Sequence, residues 1–243
     1  MIRGVIFDLG GTLAAPLNPE DLDRHNTLAL LAWLRQRSGP LDDAFVDVLV
    51  EARQAAFARR EGAREVTAAE VLGPVLQRYG LPHDASFIQA AEKAFFEPEL
   101  ASMRALPGAN ALLPWVHDRG LRAGLASNAS SQYFIVECCR RLDFERWLDP
   151  ILSSAGVGWT KPAPQIFEAI LTHWSLAPGD VVMVGDTPSA DIAGAVQIGM
   201  RSILLAEKRG ARETAAGNAR PEEAARDLAD VRTILARWMT AQP

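Results

Sequence analysis

Asp8 closes the apolar run Gly4–Phe7 and opens the string Asp8-Leu9-Gly10-Gly11-Thr12. Ser127 and Asn128 follow a second apolar run, and Lys161 stands in Thr160-Lys161-Pro162, just before a helical pattern. Asp186 and Asp191 follow a third run in Gly185-Asp186-Thr187-Pro188-Ser189-Ala190-Asp191. Aspartates of this kind are hard oxygen ligands for Mg²⁺, which keeps waters and a substrate oxygen in its remaining positions. An aspartate beside such a cation can attack phosphorus, because the metal offsets the repulsion between carboxylate and phosphate. A hydroxyl at Ser127, with Asn128 beside it, and the ammonium of Lys161 can hold the phosphoryl oxygens, and Lys161 also favours Asp8 as carboxylate. Backbone N–H groups around Leu9 to Thr12 can complete an anion cradle.

That chemistry needs the residues brought to one place. Gly4–Phe7, Leu121–Ala126, Val181–Val184 and Ser202–Leu205 are short, compact apolar runs of the kind that form buried parallel strands, and Pro150–Ser153 is a weaker one. Helical patterns lie between them at Ala109–Arg119, Ser131–Leu142, Pro164–Trp174 and Ser189–Ile198. Alternation of this sort implies right-handed βαβ units and a doubly wound α/β fold with a parallel sheet. In such sheets ligands bind outside the carboxyl ends of the strands, where Asp8, Ser127 and Asp186 fall.

One segment breaks the alternation. From about Asn18 to Leu100 the sequence carries only amphipathic helical stretches. Leu28, Leu31, Ala32 and Leu34 share a side of the first, and Phe45, Val48, Leu49 and Ala52 a side of the second. Thr67 and Glu70 predict a capping box, and Asp84 predicts the N-cap of a helix ending near Pro98. Pro16, Asn18 and Pro19 at one end and Leu106-Pro107-Gly108 at the other mark the crossings. The reading is an inserted helical module, residues 17–101, in a core of residues 1–16 and 102–243. The stretch from about Glu207 is polar and alanine-rich, with one expected helix near Glu222–Trp238 and no assigned chemistry.

Composition narrows the partners. With 243 residues and a net charge of −5, the chain has no global attraction for nucleic acid or an anionic membrane, so an anionic ligand must meet local positive groups. No apolar run approaches the length of a membrane span and the N-terminus lacks a signal-peptide core, so the expectation is a cytoplasmic protein. Adjacent Cys138 and Cys139 point in different directions on a helix and read as reduced thiols. His25, His83, His117 and His173 show no metal-ligand spacing. Arg53, Arg59 and Arg60 form a basic face whose default reading is solvation, with recognition of an anionic substrate as the minority reading, and Trp159 adjoins Lys161 near the expected cleft. Oligomeric state is open.

Together these motifs resemble the haloacid dehalogenase-like hydrolase superfamily, in its phosphatase type with an inserted helical cap, over nearly the whole chain up to about Leu205. Asp8-Leu9-Gly10-Gly11-Thr12 resembles the family's DxDx[T/V] signature, and Ser127 its strand-end hydroxyl. Lys161-Pro162 resembles its helix-opening lysine, and Asp186 with Asp191 its acidic loop. The resemblance implies Asp8 as nucleophile through an aspartyl-phosphate, with Mg²⁺ on Asp8, the Gly10 carbonyl, Asp186 and Asp191. It implies phosphate on Ser127, Asn128 and Lys161, and a small phosphorylated metabolite as substrate. Gly10 departs from the pattern, because the family's phosphatases usually carry an acid/base aspartate there. Dehalogenase members differ in lacking the acidic loop, so Asp186 and Asp191 argue against dehalogenation. A positioned general acid–base contributes roughly 10²–10⁴ in rate, out of accelerations of about 10⁶–10¹⁷. Its loss weakens catalysis without removing it. The alternatives are an inactive phosphate- and metal-binding protein, or a phosphotransferase.

Overall fold

The computed structural model describes residues 1–59, 61–206 and 219–240. Arg60 of the expected basic face and residues 207–218 of the polar stretch lie outside them. A parallel six-stranded sheet forms the centre, with β1 (Gly4–Phe7), β4 (Arg122–Ser127), β5 (Ile151–Ser153), β6 (Val181–Gly185), β7 (Arg201–Leu205) and β8 (Glu223–Ala225) in the order β5-β4-β1-β6-β7-β8. Alternate residues of β1 face opposite layers, as a strand's two-residue period requires. Ile6 joins Ile166, Phe167 and Ile170 of α8 (Gln165–Trp174), which follows the one-turn α7 (Ser154–Val157). Val5 and Phe7 join Leu112 and Val116 of α5 (Ala109–Asp118), Ile135 of α6 (Gln132–Arg141) and Leu235 of α10 (Leu228–Thr240). Each such buried side chain contributes roughly 1.5–3 kcal/mol, so the two-sided core holds the strand ends in register.

Four helices leave the core between β1 and α5. They are α1 (Leu22–Ser38), α2 (Ala44–Ala58), α3 (Ala68–Arg78) and α4 (Ala85–Ser102). The chain enters through β2 (Ala14–Pro16) and returns through β3 (Met103–Ala105), and these two crossings pair as an antiparallel ribbon that the sequence did not signal. Apolar packing runs unbroken from Leu112 and Met103 through Leu100 into Leu30, Phe45 and Leu72. The expected caps form: Thr67 Oγ1 accepts from Glu70 N–H while the Thr67 N–H donates to Glu70, and Asp84 accepts from Ser86 and Phe87.

Several expectations need correction. Pro98 does not end α4, which continues to Ser102. Phe95, Phe96 and Leu100 are buried on either side of it, and their packing outweighs the roughly 3 kcal/mol that an interior proline costs. Leu28 is exposed, and α1 instead buries Asn26 and Thr27 beside Leu30, Leu31 and Leu34. The helix expected over Ser189–Ile198 is a π-helical turn, Pro188–Ile192, followed by a short α9 (Ala193–Gln197). The segment read as one helix near Glu222–Trp238 begins as β8, whose alanines pair with β7 as the sixth strand. Among the described residues, no helix is long and apolar enough to cross a membrane.

Candidate active site

The carboxyl end of β1 places Asp8 beside the ends of β4 and β6. Its backbone N–H donates to Val184 O at 2.9 Å, which extends the ladder one residue past Phe7. The chain then turns tightly, with the Leu9 carbonyl accepting from the N–H groups of Thr12, Leu13 and Ala14, and the Gly11 N–H donating to Ala14. The anticipated anion cradle is therefore narrower than Leu9 to Thr12, because the Gly11 and Thr12 N–H groups serve the turn. Those of Leu9 and Gly10 stand outside this net.

Lys161 lies almost wholly buried at the centre. Its Nζ sits 2.6 Å from Asp8 Oδ1 and 2.7 Å from Asp191 Oδ1, and it donates to the Ala126 carbonyl at 2.7 Å. Burial alone would pull its pKa down, but the facing Asp8 and Asp191 carboxylates outweigh it and hold the ammonium above its ordinary range. Burial pushes the Asp8 carboxyl up to about 6, against the pull of Lys161 and with a further push from Asp191. Burial also raises Asp186, opposed by a hydrogen bond from Thr187.

The lysine's position is set by Asn128. Its Oδ1 accepts the Lys161 N–H at 2.7 Å and its Nδ2 donates to the Lys161 carbonyl at 3.1 Å. The Asn128 side chain thus grips the Lys161 backbone, a use that the sequence reading did not anticipate. Ser127 is buried at the end of β4 and lines the same cavity as Gly10 and Asn128. Asp191 is drawn inward by the π-helical turn, with its Oδ2 accepting the Thr187 N–H at 3.0 Å.

Carboxylate oxygens of Asp8, Asp186 and Asp191 lie within 4.8 Å of one another. An all-oxygen set of ionisable groups, made costly by burial, suits a hard divalent cation and offers nothing to a soft one. The structure therefore brings Asp8, Asp186, Asp191 and Lys161 into one cluster, with Gly10, Ser127 and Asn128 along the adjoining cavity wall.

That cavity, of about 560 Å³, is lined on its far side by the helical insertion, which contributes Asp21, Asp23, Arg53 and Glu99. Arg53 corrects the solvated-face reading. Only 7% of it is exposed, its Nε donates to Asp23 Oδ1 at 2.8 Å, and its guanidinium lies 4.6 Å from the Phe95 ring centre. A signal was present in the sequence: Phe45, Leu49 and Arg53 recur at helical spacing, so the arginine shares an apolar face. Glu99 follows Phe95 by the same spacing. Arg59 and His25 are exposed, and neither they nor Trp159 line the cavity.

Comparison with known proteins follows the same lines. A family model described as haloacid dehalogenase-like hydrolase matches residues 2–199. The chain is 27% identical over 207 residues to a glyceraldehyde 3-phosphate phosphatase of Pyrococcus abyssi, covering 84% of this chain and 81% of that protein. A shorter match, 29% identical over 112 residues and 46% of each chain, is to a ribulose-1,5-bisphosphate 5-phosphatase of Halopiger xanaduensis. Among solved structures, a 2-haloacid dehalogenase from Pseudomonas syringae pv. Tomato DC3000 superposes with a TM-score of 0.72 at 26% identity, covering 98% of this chain and 100% of that one. A phosphatase from Thermococcus onnurineus superposes with a TM-score of 0.62 at 21% identity, covering 96% and 98%. Sheet order, the acidic cluster at the strand ends and a family match over most of its length agree, and the chain belongs to the haloacid dehalogenase-like hydrolases.

Proposed function

We propose that the protein is a Mg²⁺-dependent phosphatase that hydrolyses a small phosphorylated metabolite through an aspartyl-phosphate on Asp8. The observation that carries this reading is the placement of Asp8 between a buried ammonium, Lys161 Nζ at 2.6 Å, and the carboxylates of Asp186 and Asp191. Asp8, Asp186, Asp191 and the Gly10 carbonyl would hold the cation. Bound Mg²⁺ supplies neutralisation of the charge that develops between carboxylate and phosphate dianion.

The chain's own groups account for the rest. The Asp8 oxygen not engaged by Lys161 forms a bond to phosphorus as the ester oxygen leaves. Water then attacks the same phosphorus, releasing phosphate and restoring the carboxylate. The Ser127 hydroxyl and the free N–H groups of Leu9 and Gly10 hold the phosphoryl oxygens, while Lys161, whose three donors serve Asp8, Asp191 and the Ala126 carbonyl, offsets their charge and Asn128 fixes its backbone. With glycine at position 10, the departing oxygen takes its proton from water, which favours substrates with forgiving leaving groups. The insertion, residues 17–101, acts as the cap, supported by a cavity that its residues share with Gly10 and Ser127.

Triose phosphates are the first compounds to try, by likeness to the Pyrococcus abyssi enzyme. The likeness to a dehalogenase fold carries less weight, because displacement of halide by a carboxylate gives no reason to gather three aspartates. The test is phosphate release with Mg²⁺ from a metabolite panel, beside chloride release from 2-chloropropionate. Loss of phosphate release in Asp8→Asn is expected; equal release by both proteins refutes the proposal.

One observation favours a second reading. A side chain added at Gly10 would meet nothing within 4 Å, so the fold leaves room for a carboxylate that the sequence omits. A phosphate-binding protein without turnover would show Mg²⁺-dependent ligand binding and no phosphate release after long incubation.

A further inference from the structure

The insertion's wall of the cavity carries one cation, Arg53, and three acids, Asp21, Asp23 and Glu99. The cation is already engaged. Arg53 Nε donates to Asp23 at 2.8 Å, and its guanidinium lies over Phe95 at 4.6 Å, with Phe57 at 5.5 Å on another side. Glu99 is held by Asn26, whose Nδ2 donates to Oε2 at 2.8 Å from a side chain only 1% exposed. Two built acids therefore flank one buried guanidinium, and Asp21 adds a third negative group. At the opposite end, Lys161 is shared by two carboxylates and the cation site is acidic.

We infer that Asp23 and Glu99 determine specificity by charge: they admit phosphate monoesters whose organic part is short, neutral and hydroxylated, and they turn away esters carrying a second anion. The inference rests on the phosphatase reading and adds the class of leaving group. Carboxylate oxygens accept hydrogen bonds from hydroxyl groups, so a polyol or hydroxy-carbonyl chain finds partners on this wall. A carboxylate or second phosphate there would face like charges in a partly desolvated cavity, and such repulsion discriminates more sharply than attraction does. Arg53 does not reverse this, because its single charge is paired with Asp23 and outnumbered by the acids around it. Arg53 acts instead as the positive centre that keeps Asp23 and Glu99 in place.

The experiment uses a pair matched in size, glycerol 3-phosphate and 3-phosphoglycerate, which differ by a carboxylate in place of a hydroxymethyl group. Phosphate release from both is measured with Mg²⁺ for the wild type, Glu99→Gln and Asp23→Asn, with p-nitrophenyl phosphate as a separate test of turnover. We expect kcat/KM to favour the neutral ester by about tenfold or more in the wild type. Either substitution should narrow that ratio several-fold, mainly through KM for the carboxylated ester. A wild-type ratio near one, or in favour of 3-phosphoglycerate, overturns the inference, as does an unchanged ratio in both variants. If p-nitrophenyl phosphate is hydrolysed, the phosphatase reading stands whatever that ratio shows. If no ester turns over, the phosphatase reading fails. Calorimetric titration of the Mg²⁺-loaded wild type with the same two esters then decides the inference by their affinity ratio. Should a variant not fold, the wild-type ratio still decides.

Discussion

Gly11 lies against the carboxylate of Asp186, so close that a methyl group on its Cα would overlap Oδ2, and its backbone holds a φ of +77°. Both constraints fall on one residue of the turn after β1. Only glycine reaches this conformation without strain, and here there is also no volume for a side chain. Gly11→Ala is expected to displace Asp186 and to lower kcat/KM by about two orders of magnitude, an effect on the scale of a lost charge-stabilising group. Stability should fall by about 1–2 kcal/mol. Steady-state kinetics and urea unfolding measure the two effects, and full activity in the variant would contradict the packing.

Its neighbour behaves oppositely. Gly10 faces open space, so Gly10→Asp should fold normally and raise turnover of esters with poor leaving groups, by roughly ten- to a hundredfold or more. For an activated ester such as p-nitrophenyl phosphate the gain should be small, because that leaving group needs no proton. A uniform gain for both would mean that the new carboxylate acts on something other than the leaving oxygen.

On the proposed reading, Asp8 sets the pH dependence of Mg²⁺ binding. Burial raises its carboxyl from 3.8 to about 6, so in the metal-free folded chain the neutral form is favoured. Its contribution to stability is therefore largest below pH 3.8 and falls as pH rises through about 6. Mg²⁺ binds only the carboxylate, so added Mg²⁺ should raise Tm by several degrees at pH 7.5 and by much less at pH 5, where protons compete. Thermal unfolding with and without Mg²⁺ at the two pH values checks this. An equal shift at both would place the ion elsewhere.

Lys161 is the counter-charge of the site. Lys161→Met leaves the buried Asp8 and Asp191 carboxylates facing each other, and a broken buried pair typically costs about 3–5 kcal/mol. Without the ammonium, the Asp8 pKa rises further above its unfolded value, so stability should recover as pH falls toward 5. Urea unfolding at pH 7.5 and pH 5 tests the sign, and an equal loss at both pH values would show that Lys161 packs rather than neutralises.

The parallel sheet was legible because its strands are continuous apolar runs, and a run such as Val181–Val184 has no other low-energy place than between two helical layers. Asp8 and Asp186 were legible for a related reason, since they stand at strand ends, where the side-chain pattern changes abruptly, and Lys161 because it stands before Pro162 and a helical pattern. The β2–β3 ribbon and β8 were not, because Ala14–Pro16 and Glu223–Ala225 carry no pattern and become strands only through a partner distant in sequence. Arg53 was read with Arg59 and Arg60 as a solvated face first, although its spacing placed it with Phe45 and Leu49, and Glu99, four residues after Phe95, was not singled out. Asn128 was read by its residue type, and its grip on the Lys161 backbone depends on a loop 33 residues away.

The loop before α3 touches the core next to Lys161. Thr160 N–H donates to Ala63 O at 2.7 Å, Glu65 N–H to Gly158 O at 3.0 Å and Ala68 N–H to Ser130 O at 2.7 Å, while Ser154 bonds the buried Glu65 carboxylate. The helical insertion is therefore tied to the core beyond the β2–β3 ribbon: at the residue preceding the lysine, and along α4, where Arg141 donates to Glu97 at 2.7 Å and the Phe96 and Phe134 ring centroids lie 5.1 Å apart. A swing about the ribbon would have to break those ties, while Lys161 itself stays held by Asn128, Asp8, Asp191 and the Ala126 carbonyl. The ammonium is thus aligned by groups of the core rather than by the insertion.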